Sequence, residues 1–162
     1  MREAAVLVLL WGNPPRVLLV RKNCRAESYW SCDIALPGGH IEDGESVEET
    51  ALREAWEEAW IHPRYVGVVG RLEPEKTLRG DVLIHPVLAV PRGPLCPMPA
   101  SDEIDAVFLQ PLSILARGEE EIRHPKRGVV VTGYRVAGGV LWGATLRILK
   151  RLYASLQDLK IL

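Results

Sequence analysis

Short apolar runs separated by turn-forming residues mark the first forty positions of the chain. Ala4 to Leu10 and Val17 to Arg21 are rich in leucine and valine, and a Trp-Gly-Asn-Pro-Pro segment between them favours a reversal of the chain. Ile34 to Leu36 can form a further brief strand. The pattern predicts a β-hairpin and a third strand that ends at Pro37 to Gly39, because proline and glycine interrupt a regular ladder.

The next segment has the period of a helix rather than a strand. Ser46 followed three residues later by Glu49 matches a capping box, so the helix should begin near Val47, and Pro63 should stop it. Its apolar positions recur at helical spacing and form one stripe: Ala51, Leu52, Ala55 and Ala59. The small alanines predict close packing of this helix on a sheet.

The rest of the chain continues as strands and ends in a second helix. Tyr65 to Arg71 and Val82 to Val90 are predicted strands of a second hairpin around an exposed loop, Glu73 to Asp81, and Val140 to Leu159 has a helical period. The other predicted segments are a stiff proline-rich loop at Pro91 to Pro99, a strand at Ile104 to Leu109, a short helix at Leu112 to Ala116, a charged loop at Glu119 to Arg127 and a strand at Val129 to Val136. Mixed strands with two main helices predict an α/β fold with helices on both faces of a sheet.

Composition narrows the class of protein. A chain of 162 residues, 48% hydrophobic and 25% charged, fits one globular domain over residues 1 to 162. Its net charge of -1 offers no general attraction for nucleic acid or anionic lipid, so we expect neither as a partner. The apolar run Ala4 to Trp11 is too short to span a bilayer, and a cytoplasmic location is the default expectation.

The cysteines give no sign of a metal site or a disulfide framework. Cys24, Cys32 and Cys96 are odd in number and lack the spacing of metal ligands. We therefore expect all three to be reduced thiols.

Three glutamates of the first predicted helix are spaced to lie on one side of it. Glu54, Glu57 and Glu58 stand at positions i, i+3 and i+4. Carboxylates this close repel by about 1 kcal/mol per pair, so we expect a positive group among them. Mg²⁺ prefers such oxygen ligands. Arg53 can pair with Glu49 or Glu57 one helical turn away, or reach Glu45 in the loop, and so orient the carboxylates. A glutamate-rich helix can equally be a solvated face with no further role.

The spacing over Gly39 to Ile61 favours the metal site. Gly39, five residues, Glu45, seven residues and then Arg-Glu-Ala-Trp-Glu-Glu from Arg53 onward resembles the signature of the Nudix hydrolase family. The resemblance implies a Nudix-type α/β/α sandwich with a mixed β-sheet, and a hydrolase that cleaves a pyrophosphate bond with Mg²⁺ or Mn²⁺. The family usually has a glycine, which closes the helix, where this chain has Trp60. The resemblance therefore does not predict the turn at Trp60.

The resemblance also assigns roles to matching positions. The metal ligands that it implies are helix carboxylates and a backbone carbonyl, from Glu54, Glu57, Glu58 and Gly38 or Gly39. Arg53 would hold the site together. Glu54 or Glu57 would act as the general base that deprotonates the attacking water, with Glu103 in a later loop as the alternative.

Similarity to the coenzyme A pyrophosphatase branch of Nudix proteins extends beyond the signature. It rests on Leu18 to Arg21, Trp30-Ser31, Ala35 to Gly39, Thr50 to Glu54, Gly133 to Arg135 and Trp142-Gly143. The resemblance implies a nucleoside diphosphate-linked substrate, such as coenzyme A or a derivative. Candidate substrate contacts are Arg21, Arg25, Trp30 and Arg135, followed by Lys126, Arg127, Tyr134 and Trp142. Each arginine could instead be solvated, and each aromatic residue could belong to the core.

Other functions share this signature. ADP-ribose, dinucleotides and nucleoside triphosphates are alternative substrates, and an isomerase is a different reaction on the same fold. A non-catalytic Nudix-fold binding module is a further alternative, although such a module would be expected to lose signature carboxylates that this chain keeps. Many members are dimers, so the resemblance leaves a homodimer open.

Overall fold

The computed structural model describes residues 1–25 and 31–162. The strands in these residues are β1 (Arg2–Trp11), β2 (Arg16–Lys22), β3 (Ile34–Ala35), β4 (Gly38–His40), β5 (Val66–Arg71), β6 (Glu75–Lys76), β7 (Val82–Pro91), β8 (Ile104–Pro111), β9 (Glu120–Arg123), β10 (Val130–Val136) and β11 (Gly139–Leu141). The helices are α1 (Val47–Ala59) and α2 (Gly143–Asp158), with short 3-10 helices at Pro63–Tyr65 and Leu112–Ala116. In this part of the chain no helix is both long and apolar enough to cross a membrane.

A mixed sheet of eight strands forms the centre of the fold. Its main order is β3-β2-β1-β7-β5, with β4 paired to β1, β6 to β7 and β8 to β2. Strands β1 and β7 run parallel from Arg2↔Val82 to Leu9↔Ala89, and the other pairs are antiparallel. A smaller sheet has the order β11-β10-β9.

Alternation along β1 divides the core between the two faces of the sheet. Leu7 and Leu9 point to a cluster that includes the alanines of α1, whereas Val8 points to a cluster that includes Leu149 and Leu152 of α2. Both faces of the central strand are thus buried, which explains its nearly continuous apolar sequence. The predicted α/β sandwich with helices on both faces is confirmed.

The predicted hairpins are confirmed, but the predicted break at Pro37 to Gly39 is wrong in part. Gly38 and Gly39 continue as β4, which pairs with β1 through Val6↔Gly38 and Ala5↔Gly39. A side chain at Gly38 would collide with the Ala5 carbonyl and with Val6. Glycine therefore permits close backbone approach here instead of ending the ladder.

The expectation of three reduced thiols is also wrong. Cys24 and Cys32 form a disulfide, and Cys96 is a free, exposed cysteine. Backbone hydrogen bonds from Lys22 N–H to the Asp33 carbonyl (2.9 Å) and from Cys32 N–H to the Lys22 carbonyl (3.1 Å) bring the ends of this loop together. The two Cα atoms lie 4.4 Å apart, a separation that a disulfide can bridge.

Three predicted segments differ from the structure because pairing with a neighbouring strand overrides the pattern within the segment itself. The charged loop at Glu119 to Arg127 contains β9, and the exposed loop at Glu73 to Asp81 contains β6. The terminal helix begins at Gly143 rather than Val140, because residues 139–141 pair with β10 as β11.

Candidate functional site

Helix α1 is fixed at its start by the predicted capping box. Ser46 Oγ accepts a hydrogen bond from Glu49 N–H (3.1 Å), and the Glu49 carboxylate accepts one from Ser46 N–H (3.0 Å). Ala51, Ala55 and Ala59 are completely buried against the sheet. These small side chains let the helix lie close to β1 and β4. Glutamates next to the alanines on α1 can therefore reach the backbone of Gly38 and Gly39 in β4.

Glu58 is the most deeply buried of the three signature glutamates, with 4% of its surface exposed. One carboxylate oxygen, Oε1, accepts a hydrogen bond from Gly38 N–H at 2.8 Å. The other, Oε2, lies 3.0 Å from Lys22 Nζ. Burying a carboxylate is costly unless hydrogen bonds or an opposite charge compensate for the lost water, and Gly38 and Lys22 provide both.

Arg53 links the carboxylates of α1 to the preceding loop. Its guanidinium binds Glu45 through two nitrogens at 2.7 and 3.0 Å, in a bidentate pair. The same group donates to Glu54 at 3.0 Å and to Glu57 at 3.3 Å, and contacts the His40 carbonyl at 3.4 Å. The Arg53 hydrogen bond lowers the pKa of Glu45 from 4.5 to about 2. Arg53 is therefore the organising cation of this cluster.

Glu54 is more buried than Glu57, whose side chain is half exposed. The Glu54 carboxylate packs against Gly39, and a Cβ added at Gly39 would overlap this carboxylate. Burial raises the pKa of Glu54, and the nearby charge of Glu58 raises it further, while Arg53 acts in the opposite direction. The glycine of the signature thus provides space for a partly desolvated carboxylate.

The oxygen-rich composition of the cluster fits a hard divalent cation. Two carboxylates, Glu54 and Glu58, lie beside the Gly38-Gly39 backbone, and the charge of Glu58 contributes to the raised pKa of Glu54. Within residues 1–25 and 31–162, no three acidic, histidine or cysteine side chains are already gathered at metal-binding spacing. Arg53 and Lys22 provide the positive charge around them.

The loop that carries Glu103 is hydrogen-bonded to the C-terminal end of α1, which contains Glu58. Met98 N–H and Ala100 N–H donate to the carbonyls of Ala59 and Glu58, at 3.1 and 3.0 Å. The Glu103 carbonyl accepts a hydrogen bond from Asn23 N–H at 2.8 Å. The backbone of Glu103 therefore lies next to the end of β2, beside Asn23, which follows Lys22.

The predicted substrate residues fall into different places. Arg21 and Arg25 line one cleft of about 460 Å³ with Asn23, Cys24 and Asp105. Burial would raise the pKa of Asp105, but hydrogen bonds from Arg21 (2.6 Å) and Cys24 N–H (3.2 Å) outweigh it, so the pKa is lowered. Arg21 also donates to the Ala137 carbonyl at 2.6 Å, so it is held in the wall of the cleft.

The remaining substrate predictions have other outcomes. Arg135 is an exposed residue of β10 whose side chain pairs with Glu120 at 3.3 Å. Trp30 lies outside the described residues. Tyr134 is a buried core residue that donates to the Arg117 carbonyl at 2.7 Å.

A buried polar network connects Asp33 to the small sheet, and sequence reasoning missed it. Asp33 Oδ1 lies 2.7 Å from His124 Nε2 and accepts a hydrogen bond from Trp142 Nε1 at 2.9 Å, while Oδ2 accepts one from Arg127 at 2.9 Å. Arg127 also lies over the Trp142 ring, 4.7 Å from its centroid. The sequence carries no local signal for this network, because its members come from three distant segments.

Lys22 was also missed, although a signal was present. Leu18 and Val20 of β2 pack in the cluster on the α1 face. The alternation of a strand places Lys22 on that same face, at the end nearest the glutamates.

Trp60, at the position where the family usually has glycine, adopts a backbone conformation that favours glycine. It is the C-cap of α1 with φ 60° and ψ 34°, the left-handed region that glycine enters without steric cost. Its indole stacks on Trp56 with ring centroids 4.7 Å apart. The helix therefore closes in the expected way despite the substitution.

A capped helix that carries this signature and packs on one face of a mixed sheet defines the Nudix class of proteins. The chain belongs to the NUDIX domain family, whose model matches residues 1–130. It is 39% identical to the uncharacterized Nudix hydrolase NudL of Cronobacter sakazakii over 114 residues, which are 69% of this chain and 58% of NudL. The chain thus spans somewhat over half the length of this curated relative.

Solved structures share the fold at low sequence identity. The Nudix hydrolase RenU of M. smegmatis superposes with a TM-score of 0.67 and 20% identity, over 97% of this chain and 86% of that one. The NUDIX domain of Shewanella oneidensis NrtR, solved with ADP ribose, gives a TM-score of 0.64 and 18% identity, over 96% and 88% of the two chains. These similarities concern the fold alone.

Proposed function

We propose that this chain is a hydrolase that cleaves a pyrophosphate bond in a nucleoside diphosphate-linked compound and depends on Mg²⁺ or Mn²⁺. The observation that carries the proposal is Glu58, which is 4% exposed and held between Gly38 N–H and Lys22. Burying an ion pair contributes little to stability compared with apolar residues of similar size. A buried carboxylate beside Glu54, in the family's signature, is therefore better explained by chemistry than by folding.

In this proposal the cluster divides into ligands and supports. Glu54, Glu57 and Glu58, with a Gly38 or Gly39 carbonyl, would hold the cation. When bound, the cation would neutralise charge on the phosphates and favour attack by water. Arg53, fixed by Glu45, would keep the carboxylates in place.

The hydrolytic step needs a base for the attacking water. As water bonds to phosphorus and the bridging P–O bond breaks, Glu54 or Glu57 would take the proton released by the water. Glu103 is the alternative base, because its loop is tied to the end of α1 that carries Glu58.

The substrate proposal is coenzyme A or a derivative, with other nucleoside diphosphate compounds as alternatives. Arg21 and Arg25 in the cleft at the end of β2 would bind negatively charged groups of the substrate. The similarity to NrtR, whose NUDIX domain was solved with ADP ribose, makes ADP-ribose a specific second candidate.

A product-resolved screen tests the proposal. The chain would be incubated with Mg²⁺ or Mn²⁺ and, separately, with coenzyme A, ADP-ribose, NADH, a diadenosine polyphosphate and a nucleoside triphosphate. We expect cleavage of at least one compound into two phosphate-bearing products, and none in excess chelator. Binding without cleavage of any compound would instead favour a non-catalytic module, and full activity in chelator would contradict the proposed metal dependence.

A further inference from the structure

Lys22 is the last residue of β2, and its side chain reaches the glutamates of α1. The pairing of β2 with β8 is regular from Arg16 to Arg21 and then shifts register between Arg21 and Lys22, which pairs with Ile104. The extra residue at this shift, Asp105, is on β8, so β2 keeps its alternation and Lys22 lies on the α1 face with Leu18 and Val20. Its Nζ lies 3.0 Å from Glu58 Oε2.

The two oxygens of Glu58 have partners of different kinds. Oε1 is bound by the Gly38 N–H, a backbone donor fixed by the pairing of β4 with β1. Oε2 is bound by an ammonium at the end of a flexible stem of four methylene groups. One oxygen therefore has a permanent partner, and the other has a partner that can move away.

Lys22 differs in this respect from the other cation of the cluster. The Arg53 fork is bound by Glu45 through two nitrogens, and it also reaches Glu54 and the His40 carbonyl. Moving Arg53 would break several hydrogen bonds at once. Moving the ammonium of Lys22, whose side chain is 23% exposed, would break its ion pair with Glu58 and return the charge to water.

We propose that Lys22 is an exchangeable counter-ion of Glu58, which the divalent cation displaces and which then binds a phosphate of the substrate. This inference rests on the proposed function, because it assigns a role within the same metal site. Competition follows from charge: Glu58 Oε2 cannot be fully available to a cation while the ammonium occupies it. Transfer to phosphate follows from reach, since the substrate's phosphates must lie beside the same cation.

The proposal makes opposite predictions for metal and for phosphate. Without Lys22, Oε2 loses its competing cation, and divalent-cation affinity should rise. Without Lys22, a bound pyrophosphate loses a positive partner, and its affinity should fall. A lysine with a purely structural role would not change the two affinities in opposite directions.

The test measures binding in the full chain, independently of turnover. Mn²⁺ binding would be measured by electron paramagnetic resonance for wild type, Lys22→Met and Lys22→Arg, without any nucleotide. The matched control is Lys150→Met, which removes an ion pair of the same length, 3.0 Å to Glu119, on helix α2. We expect Lys22→Met to bind Mn²⁺ about fivefold more tightly, the effect of losing one partly exposed ion pair, and both other variants to match wild type.

The second arm measures inorganic pyrophosphate binding by calorimetry at saturating Mn²⁺. We expect Lys22→Met to weaken it about tenfold, as for the loss of one charged hydrogen bond, and Lys22→Arg to restore it. Equal or weaker Mn²⁺ binding by Lys22→Met would overturn the competition, and unchanged pyrophosphate binding would overturn the transfer. If wild type itself bound no Mn²⁺, the proposed function would fail as well, which separates the two failures.

Discussion

Among single residues, Glu45 shows most clearly how the signature stabilises its own site. Its carboxylate is held by Arg53 and also accepts hydrogen bonds from Thr50 Oγ1 and Glu42 N–H, at 2.9 and 3.1 Å. Glu45 does not need to touch a metal to matter. Its charge keeps the Arg53 fork in the orientation that reaches Glu54 and Glu57.

The lowered pKa of Glu45 predicts a pH-dependent contribution to stability. The folded pKa is about 2 and the ordinary value is 4.5, so the stabilisation is complete above pH 4.5 and is lost as the pH falls towards 2. Thermal unfolding of wild type and Glu45→Gln across this range should therefore show a difference that shrinks as the solution becomes acidic. A difference in melting temperature that stayed constant, or grew at low pH, would contradict the assignment.

A second prediction at this scale separates the candidate bases. Replacing the base with glutamine should lower kcat by about 10²- to 10⁴-fold, the usual contribution of general base catalysis. We expect this decrease in kcat in Glu54→Gln or Glu57→Gln. The same variant should also lose the acid limb of the pH–rate profile, because that limb reports ionisation of the base. Glu103→Gln should retain most activity, and a loss of that size in Glu103→Gln alone would make Glu103 the base.

At the scale of elements, α1 is positioned by its two ends. The capping box fixes where it begins, and Trp60 closes it in a left-handed conformation that costs a residue with a side chain about 1 kcal/mol. Stacking of the Trp60 ring on Trp56, with interplanar angle 16°, offsets about 0.5–1.5 kcal/mol of this. The two effects are of similar size, so the substitution is tolerated.

This balance predicts an order of stability for substitutions of Trp60. Trp60→Ala loses the stacking and keeps the strained backbone, whereas Trp60→Gly loses the stacking but relieves the strain. We expect Trp60→Gly to be more stable than Trp60→Ala by about 1 kcal/mol in urea unfolding. Equal stability of the two variants would mean that the left-handed cap is not strained.

Elements with a signal in their own sequence were predictable, and elements that form only by pairing with another segment were not. The start of α1 at Val47 was predictable because a capping box is made within four residues. Strand β9 was not, because its charged sequence forms a strand only by pairing with β10. The Cys24–Cys32 disulfide was not, because it depends on how Lys22 and Asp33 pair across the loop.

For the whole molecule, the sequence pattern predicted the architecture and the glutamates of the candidate site better than the residues that would contact the substrate. The order of strands and helices was sufficient for an α/β sandwich, and the signature spacing identified the glutamates that the structure gathers around Arg53. The substrate contacts depend on loops and on the small sheet. Arg21 proved to be held by Asp105, and Arg135 to be paired with Glu120, neither of which a local pattern could indicate.

The central claim is that the buried carboxylate of α1 serves metal-dependent hydrolysis. The most direct measurement compares the turnover of wild type, Glu58→Gln and the control Glu48→Gln on the compound cleaved in the screen, with Mg²⁺ and in excess chelator. Glu48 belongs to the same helix but pairs with Arg71 away from the cluster. Turnover should be lost in Glu58→Gln and in chelator, with Glu58→Gln still folded by circular dichroism and Glu48→Gln active. Full turnover by folded Glu58→Gln would contradict the claim.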